Sequence, residues 1–280
     1  MAEEFNGTLD AGLASTLKTG YETDQIHVSK TGNDSNGGSR IAPLLTITAA
    51  FAAVTAAKKT IRVGPGVYEE AAGLTWPTIS GVKLIGDHPK WTTEIALASG
   101  HGADQVINVA PGVQTSTFEL TIMNLRINHD EAGLDGILLN NTSMTKKLNA
   151  YLDAVGGDAD SDSDSFITLT HTDTDNAIRI YWGGPRNGEV DGRIAWNVGN
   201  AGDRLYVEQA YLMGGIVVGA GAIAATLRLR DCVVKHAGVT GGNAATLVTT
   251  MSCFSLTGTT FAALDGDDIA GSITGELILP

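Results

Sequence analysis

The sequence predicts an all-β fold, namely a single-stranded right-handed parallel β-helix (solenoid) with a capping α-helix near its N-terminus. Three observations lead to this prediction. Glycine is abundant and proline scarce, with 35 and 7 of the 280 residues, which suits a chain with many tight corners. Aromatic residues make up only 6%, so mainly aliphatic side chains are available for a narrow core. An eight-residue apolar frame also recurs along the chain, as solenoid repeats do.

The N-terminal quarter contains the predicted helix. Residues 1–25 are polar and lack a clear period, and we interpret them as an arm or tail that precedes a β-helix domain over 26–280. Ile26 to Lys30 alternates like a strand, and a glycine- and asparagine-rich turn follows. Apolar residues then recur at helical spacing, which predicts a capping helix over about 44–58. These apolar residues are Leu44, Ile47, Phe51 and Val54.

The recurring frame has apolar or small residues at its first, third, sixth and eighth places. Inward residues two apart make a short strand, and the change of phase after the third place requires a bend. The fifth place, at that bend, is polar or glycine in every copy: Asn124, Gln209, Asp231 and Gly258. The four copies begin at Leu120, Leu205, Leu227 and Phe254. Each copy therefore predicts two strands of one coil.

The spacing of the frames predicts how the coils follow one another. The last three copies begin 22 and 27 residues apart. The first two copies begin 85 residues apart, which leaves room for about three further coils plus an insertion. Residues 140–165 do not fit the frame, and we interpret them as an exposed loop inserted between coils. Coils gain stability from stacking, so both ends of the domain need a cap.

The charge and the N-terminal sequence exclude several classes of function. Acidic residues outnumber basic ones, 31 to 18, and the net charge of −13 would repel nucleic acids and anionic membranes. We therefore expect neither nucleic acid nor a membrane as a partner. Met1 to Leu9 lacks the pattern of a signal peptide, which predicts synthesis in the cytoplasm. Cys232 and Cys253 have no disulfide or metal-ligand pattern.

Residues 26–70 resemble the N-terminal signature of pectin lyase-like right-handed β-helix proteins. The helix motif P-x-x-T-I-x-x-A matches Pro43 to Ala50, and the strand motif V-x-P-G-x-Y-x-E matches Val63 to Glu70. The family's rung motif I-x-N-L-x-I matches Ile122 to Ile127. The resemblance implies a right-handed β-helix. It does not fix the function, because the family includes polysaccharide lyases, glycoside hydrolases, phage tailspikes and non-enzymatic virion proteins.

Catalytic sites of this family require clustered carboxylates. A lyase site would need calcium-binding aspartates beside a basic residue, and Asp231 lies near Arg228, Arg230 and Lys235. Asp231 also occupies the recurring bend, so a structural role is favoured. A glycosidase would need two carboxylates roughly 5–10 Å apart. The sequence offers Glu189, Asp191, Asp203 and Glu208 as acids and Tyr181, Trp182 and Trp196 as sugar-stacking residues, although packing roles are more common for such aromatics.

The acidic run Asp158, Asp160, Asp162 and Asp164 is the best candidate for a metal site. An EF-hand loop needs glycine at its sixth place and glutamate at its twelfth, where this chain has Ser163 and Leu169. A solvated acidic loop is therefore favoured. The six histidines show no paired metal spacing, and we expect no cofactor.

These observations favour a structural protein over an enzyme. We expect a bacteriophage virion component, a capsid decoration (cement) protein on the particle exterior, that forms homotrimers. Its expected partners are the major capsid protein or other virion subunits, with surface glycans as a further ligand. The alternative is a carbohydrate-active enzyme (tailspike depolymerase or polysaccharide lyase), with Glu189, Asp191 and Asp231 as catalytic candidates. A non-catalytic glycan-binding adhesin is a third interpretation.

Overall fold

A computed structural model shows an all-β chain with one short helix among the residues that it describes. The described residues are 24–87, 92–129, 133–140, 146–159, 165–170, 177–181, 189–190, 193–197, 203–212, 214–219, 226–230, 232–234, 239–241, 247–251 and 254–255. The predicted N-terminal arm lies almost entirely outside them.

The described strands form three sheets, which we call sheets I, II and III, and the chain visits them in that order from β2 onward. Sheet I has nine strands: Gln25–Val28 (β1), Thr60–Val63 (β2), Val82–Gly86 (β5), Phe118–Met123 (β8), Leu148–Asp153 (β11), Ala177–Tyr181 (β14), Arg204–Glu208 (β17), Thr226–Arg230 (β20) and Leu247–Met251 (β23). Sheet II has eight strands: Gly66–Glu70 (β3), Thr93–Leu97 (β6), Arg126–His129 (β9), Gly156–Ala159 (β12), Glu189–Val190 (β15), Tyr211–Leu212 (β18), Val233–Val234 (β21) and Phe254–Ser255 (β24). Sheet III has seven strands: Leu74–Thr75 (β4), Gln105–Val109 (β7), Asp135–Asn140 (β10), Ser165–Thr170 (β13), Arg193–Asn197 (β16), Ile216–Val218 (β19) and Val239–Gly241 (β22).

Every pairing between these strands is parallel. From β2 onward, a strand pairs with the strand three places later in the chain, so each passage of the chain adds one strand to each sheet. This order is consistent with a parallel β-helix. It confirms the predicted all-β class and the predicted parallel pairing.

A column of aliphatic side chains runs through the core beneath sheet I. The register of the sheet places one such residue of each coil directly beside the next, and those whose side chains are described are all buried. They are Ile26, Ile61, Leu84, Ile122, Leu152, Val207 and Leu229. The predicted inward positions Ile122, Val207 and Leu229 are thereby confirmed, whereas Leu256 lies outside the described residues. Stacked burial of this kind supplies the main stabilising free energy.

The prediction of a frame that begins at Phe254 is wrong. Phe254 belongs to sheet II, where it pairs with Val233, whereas the first place of that coil belongs to Val248, which pairs with Leu227 in sheet I. The last step along sheet I therefore runs from Leu227 to Val248. The third place of the frame in this coil is Thr250. Because Thr250 is polar, the strand lacks the apolar pattern by which the frame is recognised.

The predicted loop insertion at 140–165 is also corrected. Leu148–Asp153 is a strand of sheet I between β8 and β14, and Gly156–Ala159 is a strand of sheet II beside β9. The coil escaped detection because the small residues Ala150 and Gly157 occupy two of the apolar places. Between Leu120 and Leu205 the chain steps along sheet I through frames at Ala150 and Ile178. The described strands of this interval therefore follow the regular order of the three sheets.

The helix, α1, covers only Ile47–Ala52 and is much shorter than the predicted 44–58. Leu44 cannot belong to it, because its N–H donates to the carbonyl of His27 and its carbonyl accepts from Ser29 N–H, as in a strand. Thr46 is the N-cap, and its side chain accepts from Ala49 N–H. The buried helical face carries Ile47, Ala50 and Phe51.

Candidate functional site

The strongest polar cluster in the described part of the chain surrounds the carboxylate of Glu70, which is buried at 2% exposure. One oxygen accepts from Ile47 N–H at 2.7 Å. The other accepts from the Thr48 hydroxyl at 2.6 Å and from Thr48 N–H at 3.3 Å. These are first-turn groups of α1, which have no partner within the helix. The glutamate at the last position of the strand motif therefore fastens the helix to β3.

A second carboxylate holds the residues just before the helix. Asp34 accepts from Leu45 N–H at 2.8 Å, from Thr46 N–H at 2.9 Å and from the Thr46 hydroxyl at 2.9 Å. Partial burial tends to raise the pKa of Asp34, but these hydrogen bonds outweigh it and lower the pKa below its ordinary value of 3.8. Asp34 thus connects the glycine-rich turn to the start of α1.

Tyr68 closes the corner between sheets I and II. Its ring is buried, its hydroxyl donates to the Gly64 carbonyl at 3.0 Å, and the Lys30 ammonium lies 5.3 Å from the ring centroid. Burial raises the pKa of Tyr68 to about 12; a hydrogen bond from the Lys30 backbone opposes this shift, and the charge of Asp87 adds to it. The buried hydroxyl of Thr93 also donates to the Gly64 carbonyl, at 3.1 Å. The corner is held by structural hydrogen bonds.

Of the three predicted catalytic carboxylates, Glu189 alone lies among the described residues. Glu189 begins a two-residue strand of sheet II, where its register partner is Tyr211. Asp191 and Asp231 lie outside the described residues. The structural and catalytic interpretations of these two residues therefore both stay predictions.

Two other residues that the sequence offered for a sugar site lie in the core. Trp196 is 1% exposed and Asp203 is fully buried, so neither faces a ligand at the surface. The interpretation of Trp196 as a stacking residue is wrong, because its strand turns it inward. Glu208 is partly exposed on sheet I, in register with Arg230 and Tyr181. Trp182 lies outside the described residues.

The proposed metal run also looks different in the structure. Asp158 is part of β12 and pairs in register with Asn128, so it does not lie in a loop. Asp160, Asp162 and Asp164 lie outside the described residues. Within the part of the chain that the structure describes, no three His, Cys, Asp or Glu residues are grouped closely enough to hold a metal ion. His129 is buried, and its ring lies 5.7 Å from that of Phe166.

Sheet I carries a column of tyrosine and arginine residues that is not apparent from the sequence. The register places Tyr151 beside Arg179, Arg179 beside Tyr206, and Tyr206 beside Arg228. Tyr151 is 38% exposed, Tyr206 is partly exposed and Arg228 is exposed. All four residues occupy the second place of the frame in successive coils. Comparing that place between coils would have revealed the column, had the coils at 150 and 178 been recognised.

An adjacent column on the same strands adds further charge. It contains Asp153, Tyr181, Glu208 and Arg230 in register order. Arg204, at the start of β17, is exposed, as is Arg230. The outer side of the later strands of sheet I is therefore rich in tyrosine and arginine.

The chain is an all-β protein whose parallel sheets, with strands paired three places apart in the chain, are consistent with a parallel β-helix. The comparisons with known proteins narrow this class. Residues 30–171, just over half of the chain, match the family described as "Protein of unknown function (DUF1565)", and the chain belongs to this family, which is associated with right-handed β-helix proteins. No curated protein matches the chain. In the described residues, none of the helical structure is long and apolar enough to cross a membrane.

Proposed function

We propose that the three sheets are wound into one right-handed solenoid and that α1 covers its N-terminal end. Crossovers between parallel strands of one sheet are right-handed in about 98% of known cases, which supports this hand. A solenoid also needs its first coil covered. The helix packs next to β1, β3 and β4, and its Phe51 ring meets Trp76 edge-on at 5.2 Å between centroids.

We further propose that this solenoid is a structural protein of a bacteriophage virion, a decoration (cement) protein on the capsid exterior. The observation that carries the proposal is that two carboxylates of the N-terminal region, Glu70 and Asp34, have structural partners. Both accept hydrogen bonds from backbone N–H groups at the start of α1 or just before it. The polar groups of this region thus hold α1 against β3 and the preceding turn. The step to a virion depends on the kind of short β-helix that the sequence resembles, whose members include non-enzymatic virion proteins.

Binding to capsids tests this proposal. Purified full-length chain should co-sediment with assembled capsids of the phage that encodes it, from which the native decoration layer has been removed, and should reach saturation. The expected partners are the major capsid protein or neighbouring virion subunits. Absence of saturable binding to such capsids would contradict the proposal.

A screen for polysaccharide cleavage tests the enzymatic alternative in parallel. If the protein has a structural function, the wild-type chain should cleave none of the tested glycans. If the wild-type chain cleaves a glycan and the variants Glu189→Gln, Asp191→Asn or Asp231→Asn lose that activity, the chain is a carbohydrate-active enzyme and the structural proposal fails. Glu69→Gln is a matched control, because Glu69 is an exposed carboxylate on an early strand of sheet II.

A further inference from the structure

We infer that the outer face of sheet I on its later coils docks a second copy of this chain. We call this face the Tyr–Arg surface and define it by residues of β11, β17 and β20. They are Tyr151, Arg204, Tyr206, Arg228 and Arg230. The inference rests on the proposed function and deepens it, since it names the surface through which the homotrimer expected from the sequence would assemble.

The geometry of the surface suits a protein contact. Neighbouring strands lie about 4.8 Å apart, so Tyr151 and Tyr206, which are two strands apart, are separated by about 10 Å along the sheet. Arg228 follows Tyr206 on the next strand. Tyrosine and arginine are among the residues that contribute most binding energy at protein interfaces. With aromatic residues at only 6% of the sequence, two in one exposed column make this face unusual for the chain.

The charge of the surface identifies the occupant. On β11, β17 and β20 the exposed or partly exposed charged side chains are three arginines and two acids, Asp153 and Glu208, so the surface has a net positive charge. The whole chain carries a net charge of −13, so the rest of each copy is strongly acidic. Two Tyr–Arg surfaces would repel each other, whereas this surface and an acidic surface of another copy attract. The contact is therefore head-to-tail, the kind that closes into rings such as trimers.

Tyr206 and Arg228 also lie beside one another on paired strands of one copy, a placement in which such side chains commonly stabilise a sheet. This structural role predicts an effect on unfolding and none on oligomeric state. Measuring both quantities on the same variants separates the two roles.

Sedimentation velocity of the full chain, without capsids, tests the inference. The wild type should be oligomeric, and Arg228→Glu should weaken association by roughly 30-fold or more, as expected for a hot-spot residue. Arg228→Gln, which is a milder change, should weaken it less, and Tyr206→Ala should weaken it as well. Higher salt should dissociate the wild-type oligomer, because the contact depends on opposite charges.

Lys83→Glu is the matched control. Lys83 is exposed and occupies the same register column of sheet I on an earlier coil, between Thr60 and Thr121, so the charge change is identical at a different height. It should leave association unchanged. A monomeric wild type, or equal dissociation by Lys83→Glu and Arg228→Glu in folded protein, would overturn the inference. Failure of the separate capsid assay would overturn the proposed function but leave self-association standing.

Discussion

At the residue scale, the polar positions of the N-terminal signature have structural partners. The carboxylate of Glu70 bonds to the first turn of α1, and the exposed neighbour Glu69 points away from the core. The two glutamates are adjacent in sequence, so the sequence alone does not distinguish their roles. Only the strand's alternation, which sends Tyr68 and Glu70 to the same buried side, separates them.

Replacing Glu70 by glutamine should destabilise the fold. The amide group cannot accept from both Ile47 N–H and Thr48, so buried donors lose their partner, at a cost of about 2 kcal/mol. Urea unfolding measures this loss in the free energy of unfolding. The control Glu69→Gln should change it by no more than about 0.5 kcal/mol. Equal effects of the two substitutions would show that the contacts of Glu70 contribute nothing to stability.

The hydroxyl of Tyr68 should lose its proton at a higher pH than that of an ordinary tyrosine. Its pKa in the folded state is about 12, against 10.0 for an ordinary tyrosine. Because the folded pKa is the raised one, the unfolded state loses its proton first as the pH rises, and the folded state loses stability between pH 10 and 12. Absorbance of ionised tyrosine in the folded protein should include a step near pH 12, and Tyr68→Phe should remove that step. An unchanged absorbance curve at that pH in the Tyr68→Phe variant would contradict this.

At the element scale, the bend between sheets I and II repeats in several coils. Asn124, Ala154 and Gln209 each have a positive φ, of 55°, 53° and 52°. The N–H groups of Asn124 and Gln209 donate to the carbonyls of Asp153 and Arg230 at the strand ends of the next coil. The sequence predicted the polar bend residues Asn124 and Gln209 but not Ala154, since alanine has no preference for this conformation.

Replacing Ala154 by glycine should cost less stability than replacing Ala150 by glycine. Both alanines are buried, so both changes remove a buried methyl group, at about 0.8 kcal/mol, and both add about 0.4–1 kcal/mol of freedom to the unfolded chain. Only Ala154 has the left-handed backbone that costs alanine roughly 1–2 kcal/mol and that glycine adopts without this cost. The free energy of unfolding of Ala154→Gly should therefore exceed that of Ala150→Gly, in the strand that leads into the same bend, by about 1–2 kcal/mol. Thermal or urea unfolding of the two variants measures this difference, and an equal loss of stability in both would contradict the role given to the bend.

At the scale of the whole molecule, the steps between paired strands of sheet I differ in length, yet the strands pair in register. Among the steps along sheet I, the one from Leu84 to Ile122 is the longest and the one from Leu227 to Val248 is the shortest. The extra residues lie in the connections between sheets, whereas the buried column keeps its spacing. The same stacking places the second residue of successive frames side by side, which creates the Tyr–Arg surface from residues that are distant in the sequence. Its proposed role in self-association is therefore a property of the stack and of no single coil.

The sequence by itself determined the all-β class, the inward positions of the regular frames and the polar bends at Asn124 and Gln209, because each depends on neighbours a few residues away. The length of α1, the coil through Leu148–Asp153 and the register at Val248 were decided by tertiary structure. Leu44 pairs with β1 and cannot start a helix, and Ala150 and Thr250 take their places through pairing with strands of adjacent coils. The Tyr–Arg surface belongs to the same group, since residues of different coils become neighbours only after parallel pairing fixes the register.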